Sequence, residues 1–265
     1  MDINAMRGCL FDTHAHYDDG KFDEDRDAVI ESLRENGVGA VVDIGCSFDS
    51  IPKALAIAEK YPFVYASVGL HPNDAGAAED DPETLNMLRG HLKNPKVVAI
   101  GEIGLDYYWD EAPREIQKKW FRAQLSLAEE TGYPVIIHDR DAHGDTLEII
   151  KEFPKVTGIL HSFSGSPEMA AELVKRGYYI SFSGVLTFKN AAKLPEVAKT
   201  VPTDRMLIET DCPYLAPHPH RGKRNDSTLM RYTAEKLAEI KGMTYEEVCE
   251  ITFENAKRVY RLTGK

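Results

Sequence analysis

VVAIGEIGLDYYWDEAPREIQKKWFRAQLSLAEETGYPVIIH, residues 97–138, is the stretch from which the fold can be read. It opens on an apolar run at 97–101 and closes on another at 134–138. Between them Ile116, Trp120, Ala123 and Leu127 recur at helical spacing, which predicts one apolar stripe along a single helix. Continuously apolar strands joined by a helical crossover make a parallel sheet covered by helices. The same alternation runs outward in both directions. Short apolar runs at 9–12, 38–44, 64–70, 156–161, 178–182 and 205–209 bring the expected strands to eight. Eight such units predict an α/β fold, a (β/α)8 barrel of the TIM type, with an open doubly wound sheet as the alternative. Two helical patterns follow the eighth strand, so an extra C-terminal helix is expected. No linker interrupts the pattern, and residues 1–265 are read as a single barrel domain.

Composition limits the function classes. Hydrophobic residues make up 43% and charged residues 28% of the 265, the balance of a packed globular chain and not of a disordered or fibrous one. With 43 acidic against 32 basic residues the net charge is −11, so any grip on nucleic acid has to be local. Cys9, Cys46, Cys212 and Cys249 are scattered without a C-x-x-C pair, which argues against a thiolate zinc site and a disulfide framework. No run approaches the roughly 18 apolar residues of a membrane span, and the first residues lack the pattern of a secretory leader. A reducing, cytoplasmic setting is the expectation, with no membrane and no obligate protein partner.

In a parallel barrel the C-terminal strand ends form the catalytic mouth, so the polar residues there carry the chemistry. The first strand runs into Asp12-Thr13-His14-Ala15-His16, where alternation lets His14 and His16 face one ion. H-x-H alone is weak evidence, because strand-end histidines often serve only as hydrogen-bonding groups. Here the fourth run ends in Glu102, the fifth in His138, the sixth in His161 and the eighth leads to Asp211. Four imidazoles and two carboxylates from five strands suffice for two divalent cations, one carboxylate bridging through its two oxygens. Without ions, such a buried set would carry a heavy desolvation cost.

FDTHAHYD at 11–18, PVIIHDRDAHGDT at 134–146 and LIETDCPYLAP at 207–217 resemble the three signatures of the TatD family of metal-dependent hydrolases and deoxyribonucleases, within the amidohydrolase superfamily. GEIGLDYYW at 101–109 and RGKRND at 221–226 are similar to further family segments. The resemblance covers essentially the whole chain. It implies a first metal held by His14, His16, Glu102 and Asp211, a second by Glu102, His138 and His161, and Glu102 as the bridge. Ser162 stands where many relatives have Cys, and Ser227 where relatives often have Pro.

Around the ligands, His71 in VGLHP is associated in the family with the substrate phosphate, its alternative role being to position a loop beside Pro72. Arg140 can hold a phosphate oxygen or pair with Asp141 or Asp145. Arg221, Lys223 and Arg224 form the one basic cluster suited to a phosphate backbone, and Glu209 shares a strand face with Asp211 and can orient ligands. Tyr107, Tyr108 and Trp109 suit stacking on an unpaired base, although aromatics there more often cover the barrel end. Paired cations acidify a shared water for attack on phosphorus, with Asp211 taking the proton and solvent or His71 protonating the leaving oxygen. Catalysis is therefore expected at Asp211, Glu102 and His71. The expected activity is removal of nucleotides from single-stranded DNA or RNA ends, with 3′ to 5′ polarity suggested by the resemblance alone, and with Zn, Mn or Mg as the ions. Hydrolysis of an amide, lactone or aminoacyl ester in the same mouth is the alternative.

Overall fold

The computed structural model describes residues 10–78 and 83–262. Cys9, where the first apolar run begins, lies outside the described residues, as does part of the loop before residue 83. Eight strands form one all-parallel sheet in sequence order: β1 (Leu10–Ala15), β2 (Val38–Gly45), β3 (Val64–Val68), β4 (Val97–Asp106), β5 (Val135–Arg140), β6 (Gly158–Leu160), β7 (Tyr179–Phe182) and β8 (Met206–Ile208). The barrel is nearly closed, β1 meeting the segment after β8 through a bridge between Ala15 and Cys212. Thr13 Oγ1 donates to the Ile208 carbonyl at 3.1 Å, the Asp211 N–H to His14 at 2.9 Å and the His16 N–H to Cys212 at 2.8 Å. These bonds between the end of the first strand and the eighth strand with the segment after it bring His14, His16 and Asp211 side by side.

The helices that cover the barrel are α1 (Arg26–Ser32), α2 (Ser50–Lys60), α3 (Glu83–His91), α4 (Arg114–Thr131), α5 (His143–Glu152), α6 (Pro167–Lys175), α7 (Leu194–Thr200) and α8 (Met230–Lys241). A further helix, α9 (Tyr245–Val259), is the expected C-terminal addition. It begins with a complete capping box, Thr244 and Glu247 each bonding the other's backbone N–H. Two packed clusters follow from alternation along the strands. One joins the outer strand faces to the helices. The other gathers Phe11, Val42, Ile136, Ile159, Tyr179 and Leu207 with Phe253 and Tyr260, so α9 closes the end of the barrel away from the strand C-termini. Tyr260 also donates its hydroxyl to the Thr13 carbonyl at 2.7 Å.

Three features go beyond or against the sequence reading. β1 runs on to Ala15, β4 to Asp106 and β5 to Arg140, so His14, Glu102 and His138 lie within strands and not at or just past their ends. Ladder bonds are made by the backbone, and polar side chains at a barrel mouth do not end them. Second, β4 advances three residues, Ile100 to Ile103, while β5 advances two, Val135 to Ile137. That extra residue is a bulge at Gly101–Glu102, a device that re-aims a side chain. Third, the buried face of α4 is centred on Gln117, Trp120, Phe121, Gln124 and Leu125, with Ile116 and Ala123 only at its margin. Its two fully buried glutamines, seven residues apart, are what an apolar-periodicity reading passes over. Among the described residues no helix is long and apolar enough to cross a membrane, and Cys46, Cys212 and Cys249 are not joined in disulfides.

Candidate metal centre

Seven side chains from six strand ends converge at the barrel mouth. On one side the Nε2 atoms of His14 and His16 lie 3.1 Å apart. Glu102 Oε2 is 3.3 Å from His14 and 3.9 Å from His16, and Asp211 Oδ1 is 3.6 and 3.4 Å from them. On the other side His138 Nδ1 and His161 Nε2 lie 3.2 Å apart, each 2.7 Å from Glu102 Oε1. His71 Nε2 is 3.7 Å from that same oxygen. His14 stacks on His161 with ring centroids 4.0 Å apart, tying the two sides together.

Donor atoms bound to one cation at about 2.1 Å lie about 3.0–3.4 Å from each other in octahedral or tetrahedral geometry. The imidazole separations match, and the nitrogen and carboxylate donors suit zinc or manganese. Three overlapping donor groups can hold a metal ion: His14 with His16 and Glu102, His14 with His161 and Asp211, and His71 with Glu102 and His138. The third brings in His71, whose Nε2 could ligate only without its proton.

The electrostatics describe a negative bridge among crowded imidazoles. Burial opposes charge on Glu102, yet His161 and His14 hold its carboxyl well below the usual range. Asp211 is likewise held down against burial by His16 and its neighbours. Burial drives His14 down, with His161 adding to the effect. His16 goes the other way, to about 9, because Asp211, Asp18 and Glu102 outweigh its burial. His71 falls to about 3 through burial and the nearby His138. Its Nδ1 accepts the Asn73 N–H at 3.2 Å, which leaves a proton on Nε2.

A supporting layer fixes the rings. Glu209, fully buried, accepts the Ser162 N–H at 2.6 Å and sits 3.3 Å from His161 Nδ1, the orienting position expected for it. Asp106, which sequence reading missed, places Oδ2 3.1 Å from His138 Nε2 while Oδ1 accepts the N–H groups of Tyr108 and Trp109. Its signal lies in GLDYY, beyond the apolar run at 97–101 and Glu102 from which the fourth strand is read. Asp12 accepts from Thr210, Ser227 and the His14 N–H, welding β1 to the loop after β8. Ser227 also donates its own N–H to Tyr17, a bond that Pro at this position could not make. Asp211 and Ser162 both adopt left-handed backbone, with φ of 57° and 38°. Such strain in non-glycine residues concentrates at functional sites.

The expected substrate groups divide. Arg140 makes neither of the anticipated ion pairs and instead lies 4.1 Å from the centroid of Tyr108, Asp145 being engaged by Lys118 and Tyr107. Arg221 lies over Phe188 and Lys223 is exposed. Arg224 is spent on structure: its guanidinium grips Asp25 through two bonds of 2.7 and 2.6 Å and donates to the Lys21 carbonyl. The basic cluster is thus weaker than its sequence suggested. Tyr107 packs against the core, whereas Tyr108 and Trp109 project outward and do not cover the barrel end.

The family model described as TatD related DNase matches residues 11–261. The chain is 49% identical over 256 residues to the uncharacterized metal-dependent hydrolase YabD of Bacillus subtilis (strain 168), covering 96% of this chain and 99% of that protein. It is 32% identical over 261 residues to the 3′-5′ ssDNA/RNA exonuclease TatD of Erwinia tasmaniensis, covering 96% and 100%. The crystal structure of YJJV, a TatD homolog from Escherichia coli K12, superposes with a TM-score of 0.87 at 30% identity, covering 95% of this chain and 98% of that one. With the family model spanning nearly the whole length and these relatives matched almost end to end, the chain belongs to the TatD related DNase family, and it is a metal-dependent hydrolase.

Proposed function

We propose that the protein hydrolyses phosphodiester bonds at the ends of single-stranded DNA or RNA, in the 3′ to 5′ direction, with two divalent cations. The observation that carries this reading is the division of Glu102: Oε2 faces His14 and His16 while Oε1 faces His138 and His161. One carboxylate serving two imidazole pairs is the arrangement a bridged ion pair requires. The substrate and polarity draw support from the named activity of the Erwinia relative.

His14, His16, Glu102 and Asp211 would hold one ion, and Glu102, His138 and His161 the other. When bound, the ions supply an acidified water and positive charge for the phosphoryl oxygens. Asp211, ionised, takes the proton from the attacking water as the new oxygen–phosphorus bond forms and the bond to the leaving sugar oxygen breaks. His71 is uncharged and keeps its proton on Nε2, so it acts as a hydrogen-bond donor to a phosphoryl oxygen. The leaving oxygen then takes its proton from solvent. Arg140, Arg221 and Lys223 remain for flanking phosphates.

The test is chelator-stripped protein refilled with zinc, manganese or magnesium and given end-labelled linear and circular forms of one single strand. The expected result is mononucleotide release from the linear form alone, in the 3′ to 5′ direction. A circle cut as fast as the linear strand overturns end recognition. Turnover of carboxylic esters or amides, with no cleavage of nucleic acid in any metal, replaces the reading with a carbonyl hydrolase.

A further inference from the structure

Among the described residues four large apolar side chains stand exposed: Phe48, Tyr108, Trp109 and Tyr214. Each lies on a loop that follows a strand, after β2, β4, β4 and β8 respectively. In a parallel barrel every such loop opens at the end that carries the donor cluster. Among the described residues the most exposed aromatics therefore lie on the rim of the mouth. Tyr214 is partly engaged, its hydroxyl donating to Asp19 and its ring lying under Lys21. Tyr108 and Trp109 are the most open, 56% and 58% exposed, and meet at right angles with centroids 5.1 Å apart.

The backbone that carries this pair is tied down. Both backbone N–H groups bond Asp106 Oδ1 at 2.9 Å, and the other oxygen of that carboxylate is the one beside His138. Gln117 clamps the loop further, accepting the Asp106 N–H and donating to the carbonyls of Asp106 and Ala112. Arg140 lies on the Tyr108 ring and adds a cation. An exposed indole and phenol on a tethered backbone, one carboxylate away from the donor cluster, suit a ligand with a flat face.

We infer that Tyr108 and Trp109, with Arg140, form a stacking subsite for an unpaired nucleobase of the strand whose end enters the mouth. The inference rests on the proposed nuclease reading and deepens it, because it names the feature that selects single strands. A base within a duplex has both faces already stacked, whereas an unpaired base offers one to the indole. Stacking on aromatics is tolerant of sequence. It also supplies grip where a chain of net charge −11 offers phosphates little.

The chain has two tryptophans, and Trp120 is buried at 5% exposure, so a ligand-induced change in indole emission reports on Trp109. The experiment titrates metal-loaded protein with a short oligothymidylate carrying phosphorothioate linkages, which slow turnover, and with an abasic strand of the same length and linkages. The base-bearing strand should quench the emission and the abasic strand should not. For Trp109→Ala, kcat/KM on unmodified oligothymidylate should fall about 5- to 100-fold, mainly through KM, and Trp109→Phe should recover most of the loss. The preference for the base-bearing over the abasic strand should narrow in proportion. Equal binding and cleavage of the two strands by the unaltered protein, or wild-type kcat/KM in Trp109→Ala, overturns the subsite while leaving the nuclease reading intact. Failure to bind or cleave either strand in any metal overturns both.

Discussion

Glu102 and Asp106 lie four residues apart on β4, and each carboxylate divides its two oxygens between two tasks. Glu102 links the two imidazole pairs, so Glu102→Gln, of similar size but uncharged, should lower bound metal and reduce turnover by at least about 10²–10³-fold. Elemental analysis alongside rates checks this, and two ions per chain at full activity would sink the bridging role. Asp106 works through His138. Asp106→Asn should weaken metal affinity by about 10- to 100-fold, read as a shift in the metal concentration that restores activity. Burial opposes charge on Asp106, but His138 and the N–H groups of Trp109 and Tyr108 lower it from 3.8 to about 2. A carboxyl whose folded value is depressed stabilises the fold above its unfolded value and loses that contribution as pH falls through its folded one. The gap in thermal midpoint between the wild type and Asp106→Asn should therefore be full above about pH 4 and close as pH drops toward about 2. A constant gap from neutral to acid pH would show that charge on Asp106 is not what the fold uses.

At the scale of elements, α4 positions two loops of the mouth through amides and not only through packing. Gln124 accepts the Leu70 N–H at 2.7 Å and donates to the carbonyls of Leu70 and Trp120, which fixes the chain next to His71. Gln117 does the same for the loop after β4. Gln124→Leu keeps the volume roughly but leaves the backbone groups of Leu70 unpartnered in the interior. A loss of about 1–3 kcal/mol in denaturant unfolding is expected, together with reduced kcat/KM through a displaced His71. Unchanged stability and rate would mean that the loop holds its shape without the helix. Between β4 and β5 the backbones approach so closely that a Cβ on Gly104, at φ +141°, would lie 2.0 Å from the His138 carbonyl oxygen. Only glycine serves there, and that closeness seats His138 beside Glu102.

For the whole molecule the charge balance decides how substrate arrives. Of the cations singled out in the sequence, Arg140, Arg221 and Lys223 remain for a polyanion, since Arg224 is bound to Asp25. Lys223→Glu should weaken oligonucleotide binding across all sequences and reduce the steepness of its salt dependence by roughly one counterion or more. Binding isotherms at several salt concentrations measure it, and an unaltered slope would remove Lys223 from the phosphate path. The sequence by itself determined the alternation of strands and helices, the eight units and the placing of His14, His16, Glu102, His138, His161 and Asp211 at the strand ends that converge, because periodicity and strand-end chemistry are local properties. Tertiary structure alone decided the rest. Whether Arg224 meets phosphate or Asp25, whether Gln117 and Gln124 face solvent or clamp a loop, and which oxygen of Glu102 faces which imidazole all depend on partners distant in the chain. Asp106 became legible only when β4 proved to run five residues past Gly101, carrying it against His138. Side-chain pairing across a closed barrel is set by register and bulges, and a bulge is fixed by the neighbouring strand rather than by the residues that form it.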